Sequence, residues 1–154
     1  RYLSKIVKLD TRNQIIRNNI IGAVKEGRKV MVLSHRRDHL KLLQKMSEGI
    51  GCTNTCLFIG GASSLEEARA CNVLFATWQI AAEGLDIPDR DTLIMATAQK
   101  NVEQAVYRIR RQLDGKKPLV VVDFIDNVDV FQALSLKRKI YYLQAGFEIQ
   151  DYHI

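Results

Sequence analysis

Short apolar runs recur along this chain, separated by segments of helical spacing, and that alternation constrains its fold more than any other feature. KVMVLS at 29–34, residues 55–59, VLFA at 73–76, residues 92–96 and PLVVVDF at 118–124 are compact and rich in Val, Ile, Leu and Phe. Runs without a polar alternation suit strands covered on both faces. Between them, Ile16, Ile20, Ala23 and Val24 recur at helical spacing after a cap at Asp10 or Thr11, until Gly27. A helix over 38–48 follows the 29–34 run, with Leu42, Leu43 and Met46 inward and Gly49 past its end. Ser63 or Ser64, with Glu66 or Glu67 as reciprocal partner, caps a short helix. A helical turn at 80–82, a helix over 101–113 and a long one over 128–145 ending at Gly146 complete the pattern. Residues 2–9, YLSKIVKL, read as an edge strand, and the final FEIQDYHI reads as a last strand or a packed tail. The sum is an α/β fold, a parallel sheet of about six to seven strands with helices on both faces.

At 154 residues the chain fits one domain, burying roughly 68–70% of its unfolded surface. No apolar stretch approaches the ~20 residues that cross a bilayer, no secretory signal is present, and no internal repeat appears. The first residue is Arg1 rather than Met, which reads as a piece of a longer protein. Net charge is +6 and the pI is near 9.3, which favours an anionic partner. The excess is clustered: residues 25–45 hold seven Lys or Arg against two acids, and residues 100–117 hold six against two. Cys52, Cys56 and Cys71 are an odd count without the further ligands of a zinc site, so neither a disulfide framework nor a metal is expected.

Two stretches concentrate polar chemistry. NVLFATWQIAAEGLDIP at 72–88 delivers Thr77, Gly84 and Asp86 just past a strand's carboxyl end, where ligands bind in open parallel sheets. On a wheel of about 100° per residue, the 101–113 helix puts Val102, Val106, Ile109 and Leu113 on one stripe and Gln104, Arg108 and Arg111 on the opposite one. Two guanidiniums a turn apart, in a segment whose only acids are Glu103 and Asp114, suit a bound polyphosphate.

ATWQIAAEGLDIP followed by QAVYRIRR resembles motifs V and VI of superfamily 2 helicases, and VMVLSHRRDHL resembles motif IV. The likeness spans the whole chain, residues 1–154, as the second, carboxyl-terminal RecA-like domain. With VVVDFID and GFEI it is most similar to DNA helicases and translocases of large DNA viruses and phages, of the poxvirus transcript-release and phage branch-migration kinds. The resemblance implies Arg111 as an arginine finger on the ATP γ-phosphate, Arg108 as its companion, and Gln104 as the opening residue of the motif. It implies ribose contact by Asp86, close backbone approach at Gly84, and nucleic-acid contacts by Ser34, His35, Gly60, Gly61 and Thr77. ATP and Mg2+ would be bound mainly by an amino-terminal RecA-like domain, the partner lobe. The further partner is DNA, with RNA or an RNA–DNA hybrid as alternatives, and no membrane. The implied setting is a soluble intracellular protein and, if the protein is viral, replication sites in host cytoplasm or the virion.

Tyr107 stands where the family has glycine before the first motif VI arginine. The chain has no G-x-x-x-x-G-K-[ST] loop and no acidic box, so it is not expected to hydrolyse ATP alone. His39 and the Lys137-Arg138-Lys139 run are read as solvated helix positions, and His153 as a tail residue. Trp78 is read as core, with stacking on a base as the alternative. An ATPase-inactive nucleic-acid-binding module is the second functional reading, and a flavodoxin-like small-molecule domain, lacking any glycine-rich fingerprint, the third.

Overall fold

The computed structural model describes residues 2–50, 52, 54–60, 64–83, 87, 89–99, 102–110 and 115–152, apart from the side chain of Arg108. In order the elements are α1 (Tyr2–Ile6), α2 (Asp10–Lys25), β1 (Val30–Ser34), α3 (Arg37–Glu48), β2 (Thr55–Phe58), α4 (Leu65–Ala70), β3 (Val73–Thr77), α5 (Trp78–Ala82), β4 (Thr92–Met95), α6 (Glu103–Ile109), β5 (Val120–Asp123) and α7 (Asp129–Gln144). The described strands form one parallel sheet in the order β2-β3-β1-β4-β5. The central strands β1 and β3 are buried along their full length, which is why their sequences carry no polar alternation.

Alternate side chains supply two separate cores. Val30, Val32, Val73, Phe75 and Ile94 face α2 and α3 through Ile16, Ile20, Leu40 and Leu43. Met31, Leu33, Leu74, Leu93 and Met95 face the other layer, built from Ala68, Trp78, Ala81, Val106, Ile109 and Tyr142. Each large aliphatic side chain so buried contributes roughly 1.5–3 kcal/mol. The chain crosses from β1 to β2 on the α3 face and from β3 to β4 on the opposite face. The strand order therefore switches beside β1, and its carboxyl end opens a crevice.

The structure corrects several local expectations. Residues 2–9 are not an edge strand. Tyr2–Ile6 form α1, with Tyr2 edge-on to Phe131 and Ser4 accepting from Arg36. A strand needs a neighbour running alongside, and there the backbone instead bonds to itself, as from Val7 N–H to Leu3 C=O. Leu42 is exposed while Leu40 and Leu43 point inward. No side chain caps α2, whose preceding residue is Leu9, whereas Ser64 does cap α4 by accepting the Glu67 N–H. Phe147 and Ile149 of the tail pack on the α6–α7 side rather than adding a strand, so the sheet has five described strands.

Candidate functional site

Three loops meet at the carboxyl edge, those after β1, β3 and β4. Ser34 and Thr77 are paired in register at the strand ends, and the chain leaving β4 curls back onto β1 through Ala96 N–H to Leu33 C=O at 2.8 Å. Thr97 joins the three. Its hydroxyl accepts the His35 backbone N–H at 2.9 Å and lies 2.8 Å from His35 Nδ1. Its carbonyl accepts Trp78 Nε1–H at 3.0 Å. Trp78 is buried, as expected of a core residue, with its ring 6.0 Å from that of His35. The His35 side chain lies at the exposed rim, with its pKa lowered from 6.5 by burial, against a raising bond to Gln99 and with a smaller lowering push from Arg36. Thr97 falls in none of the recognised motifs. Its only sequence signal is a hydroxyl immediately past an apolar run, in MATAQ.

Thr77 is buried and caps α5, its Oγ1 accepting the Ile80 N–H at 3.3 Å. Ser34 is fully buried. Its Oγ accepts the Arg36 N–H at 3.2 Å and lies 2.9 Å from His39 Nδ1, so it shapes the loop from beneath.

His39 corrects the expectation of a solvated helix position: it is 2% exposed. Its Nε2 lies 2.7 Å from Asn13 Oδ1, and Asn13 donates through Nδ2 to Val7 C=O at 3.0 Å. Burial, with the nearby Arg12 charge, lowers its pKa to about 4. The ring is neutral at pH 7, donating from Nε2 and accepting the Ser34 hydroxyl at Nδ1. Beyond β2, Gly60 has φ 101°, a conformation that strongly favours glycine, and its α-carbon faces the Arg37 guanidinium.

A small cleft of about 190 Å³ opens between α5 and α6, lined by Trp78, Ala81, Ala82, Gln99, Gln104 and Ala105. On α6, Val102, Val106 and Ile109 are buried and Gln104 is exposed, the division expected from the wheel. Tyr107 is 79% exposed on the same helix. The carboxamides of Gln99 and Gln104 give the cleft polar groups suited to phosphate or ribose oxygens. Its volume falls below the roughly 300–1,000 Å³ that enclose a drug-sized ligand. The side chain of Arg108 and all of Gly61, Gly84, Asp86, Leu113, Arg111 and His153 lie outside the described residues.

Buried arginines brace this edge, and sequence reasoning missed them. Arg12 grips Asp126 at 2.6 and 3.0 Å and donates to Ala96 C=O at 2.6 Å. Arg138 corrects the reading of a solvated basic run: it is 1% exposed and forks onto Asp123 at 2.7 and 2.9 Å. Tyr142 Oη donates to the same carboxylate at 2.9 Å, and burial, more than that carboxylate, pushes its pKa far up. The only hint was VVVDFID, where acids adjoin an apolar run. Among the described residues no cluster of three or more His, Cys, Asp or Glu could hold a metal ion, and no helix is long and apolar enough to cross a membrane.

The helicase conserved C-terminal domain family matches residues 11–116. A protein of Acanthamoeba polyphaga mimivirus, named as a putative ATP-dependent RNA helicase, is 27% identical over 159 aligned residues, covering 100% of this chain and 31% of that protein. The chain therefore spans less than a third of its relative's length. Among solved structures, T4 UvsW has a TM-score of 0.75 at 16% identity, over 95% of this chain and 35% of that one. Mss116p DEAD-box helicase domain 2, bound to an RNA duplex, has a TM-score of 0.54 at 14% identity, over 72% of this chain and 50% of that one. At these identities the structural likeness concerns the fold.

Proposed function

Because the chain belongs to the helicase conserved C-terminal domain family, we propose that it is the second RecA-like lobe of an ATP-dependent superfamily 2 helicase or translocase, paired with a first lobe that carries the phosphate loop. The observation that supports this reading best is the shared rim: the loops bearing His35 and Thr77 and the α5–α6 cleft bearing Gln104 all open at one edge of the sheet. One rim can then feel both a nucleic-acid strand and a nucleotide.

Mg2+-ATP, held mainly by the first lobe, supplies the free energy of phosphoryl transfer to water. Gln104 offers its carboxamide to the phosphates from the cleft wall. Arg108 and Arg111, later in the same motif, would place positive charge where it develops on the γ-phosphoryl oxygens. Asp86 accepts from ribose, and Gly84 lets the backbone come close. His35 and Thr77 donate to a nucleic-acid phosphate, while Gly60 and Gly61 let the strand lie against main chain.

Arg111→Ala in the full-length protein tests the assignment. Nucleic-acid-stimulated ATPase should fall by about 10³–10⁵-fold with nucleic-acid binding nearly retained; unchanged turnover would remove the finger role. The track in this reading is DNA, supported by motifs that resemble those of phage and large-DNA-virus motors. RNA is the second reading, favoured by the name of the mimivirus relative. Stimulation of the same ATPase by DNA and RNA strands, compared side by side, separates the two.

A further inference from the structure

Proton accounting around Thr97 determines what His35 can offer a ligand. Thr97 is fully buried, and its Oγ1 already accepts the His35 backbone N–H. Were His35 protonated at Nδ1, that N–H would also donate to Oγ1, and among the described residues the buried threonine O–H would have no acceptor. Leaving a buried hydroxyl without a partner is unfavourable. With Nδ1 bare, the threonine O–H donates to it. Nε2–H is then directed at the rim, where Gln99 Oε1 lies 3.4 Å away. Only this second arrangement gives the buried threonine hydroxyl an acceptor as well as a donor. Since the environment holds the ring neutral at pH 7, its tautomer rather than its charge decides its chemistry.

We propose that Thr97 is a positioning residue that locks His35 as the Nε2–H tautomer, so that a neutral ring N–H is presented to an anionic backbone oxygen of a nucleic-acid strand at the rim. The role in binding rests on the functional reading above; the lock itself does not. The same residue holds Trp78 through its carbonyl, and Arg12 holds the adjoining Ala96 carbonyl from the other face. The ring and the start of α5 are thereby fixed to the end of β4 as one unit, which keeps the donor aimed.

Long-range 1H–15N spectra of the histidine rings of the 154-residue chain read the tautomer directly. Wild type should show His35 as Nε2–H. Thr97→Val, similar in shape but without the hydroxyl, should show an Nδ1–H population, and Thr97→Ser should restore the wild-type spectrum. Anisotropy of a short labelled single strand, DNA and RNA in parallel at neutral pH, should show Thr97→Val binding about tenfold more weakly, as expected for one hydrogen bond to a charged acceptor, with recovery in Thr97→Ser. A role confined to packing would leave the tautomer of the folded variant unchanged, and that result overturns the proposal. So does an altered tautomer with unaltered affinity. If Thr97→Val does not fold, the wild-type spectrum still decides, because Nδ1–H at His35 is incompatible with the lock. If no form of the chain binds either strand, the functional reading and the binding role fall together, while the tautomer spectra still report on the lock.

Discussion

His39 sits between α2, α3 and the end of β1 with both ring nitrogens matched to neutral partners, Ser34 and Asn13. Its pKa, lowered from 6.5 to about 4, ties the protein's stability to pH through one side chain. At pH 7 the ring is neutral in the native state and mostly neutral in the unfolded chain, so it adds little pH dependence there. As pH falls below 6.5 the unfolded chain takes up a proton that the native protein refuses, so stability declines; below about pH 4 both states are protonated and the decline stops. The gap of about 2.5 pH units, at 1.36 kcal/mol each, corresponds to a loss of about 3 kcal/mol, of which about 2 kcal/mol is already gone at pH 5. Against a typical total of roughly 5–15 kcal/mol that is a large fraction. Urea unfolding followed by circular dichroism between neutral pH and pH 4, on wild type and His39→Gln, isolates the effect. The variant keeps a donor toward Asn13 but cannot titrate. It should start less stable at pH 7, because Ser34 loses its acceptor, yet lose about 2 kcal/mol less than wild type on going to pH 5. Parallel stability curves for the two proteins would refute the reasoning.

Arg138→Met should cost about 3–5 kcal/mol by stranding the Asp123 carboxylate, and adding Asp123→Leu should restore much of the loss, both read from urea midpoints. Gly60→Ala should lower stability by about 1–2 kcal/mol, because φ 101° places a β-carbon in the left-handed region; an unchanged thermal midpoint would show that the loop relaxes.

Much of this molecule is legible from short range. The apolar runs at 30–34, 73–77 and 92–95 declare themselves as strands because burial on both faces removes polar alternation, a property each run carries locally. The inward stripe of α6 and the Ser64 cap are equally local, depending on residues three or four apart. Thr77 at the end of its strand and Gln104 on the exposed face of α6 were legible for the same reason: each sits in a contiguous motif.

Tertiary structure decided what contiguity cannot express. Tyr2–Ile6 has strand-forming residues, but with no strand alongside its backbone closes into helix. His39 and Arg138 look solvated in sequence because their partners, Asn13 and Asp123, lie 26 and 15 residues away. Thr97 and His35 are 62 residues apart, and Arg12 and Asp126 are 114 apart. No periodicity links such pairs. Thr97 meets His35 because the strand order 2-3-1-4-5 brings the ends of β1 and β4 side by side, and the other pairs meet through helices packed on that sheet. Sequence alone thus determined the five internal strands and the helices between them, since those are properties of single segments. The order of the strands, set by how two faces of one sheet can both be covered, decided which polar groups share protons there.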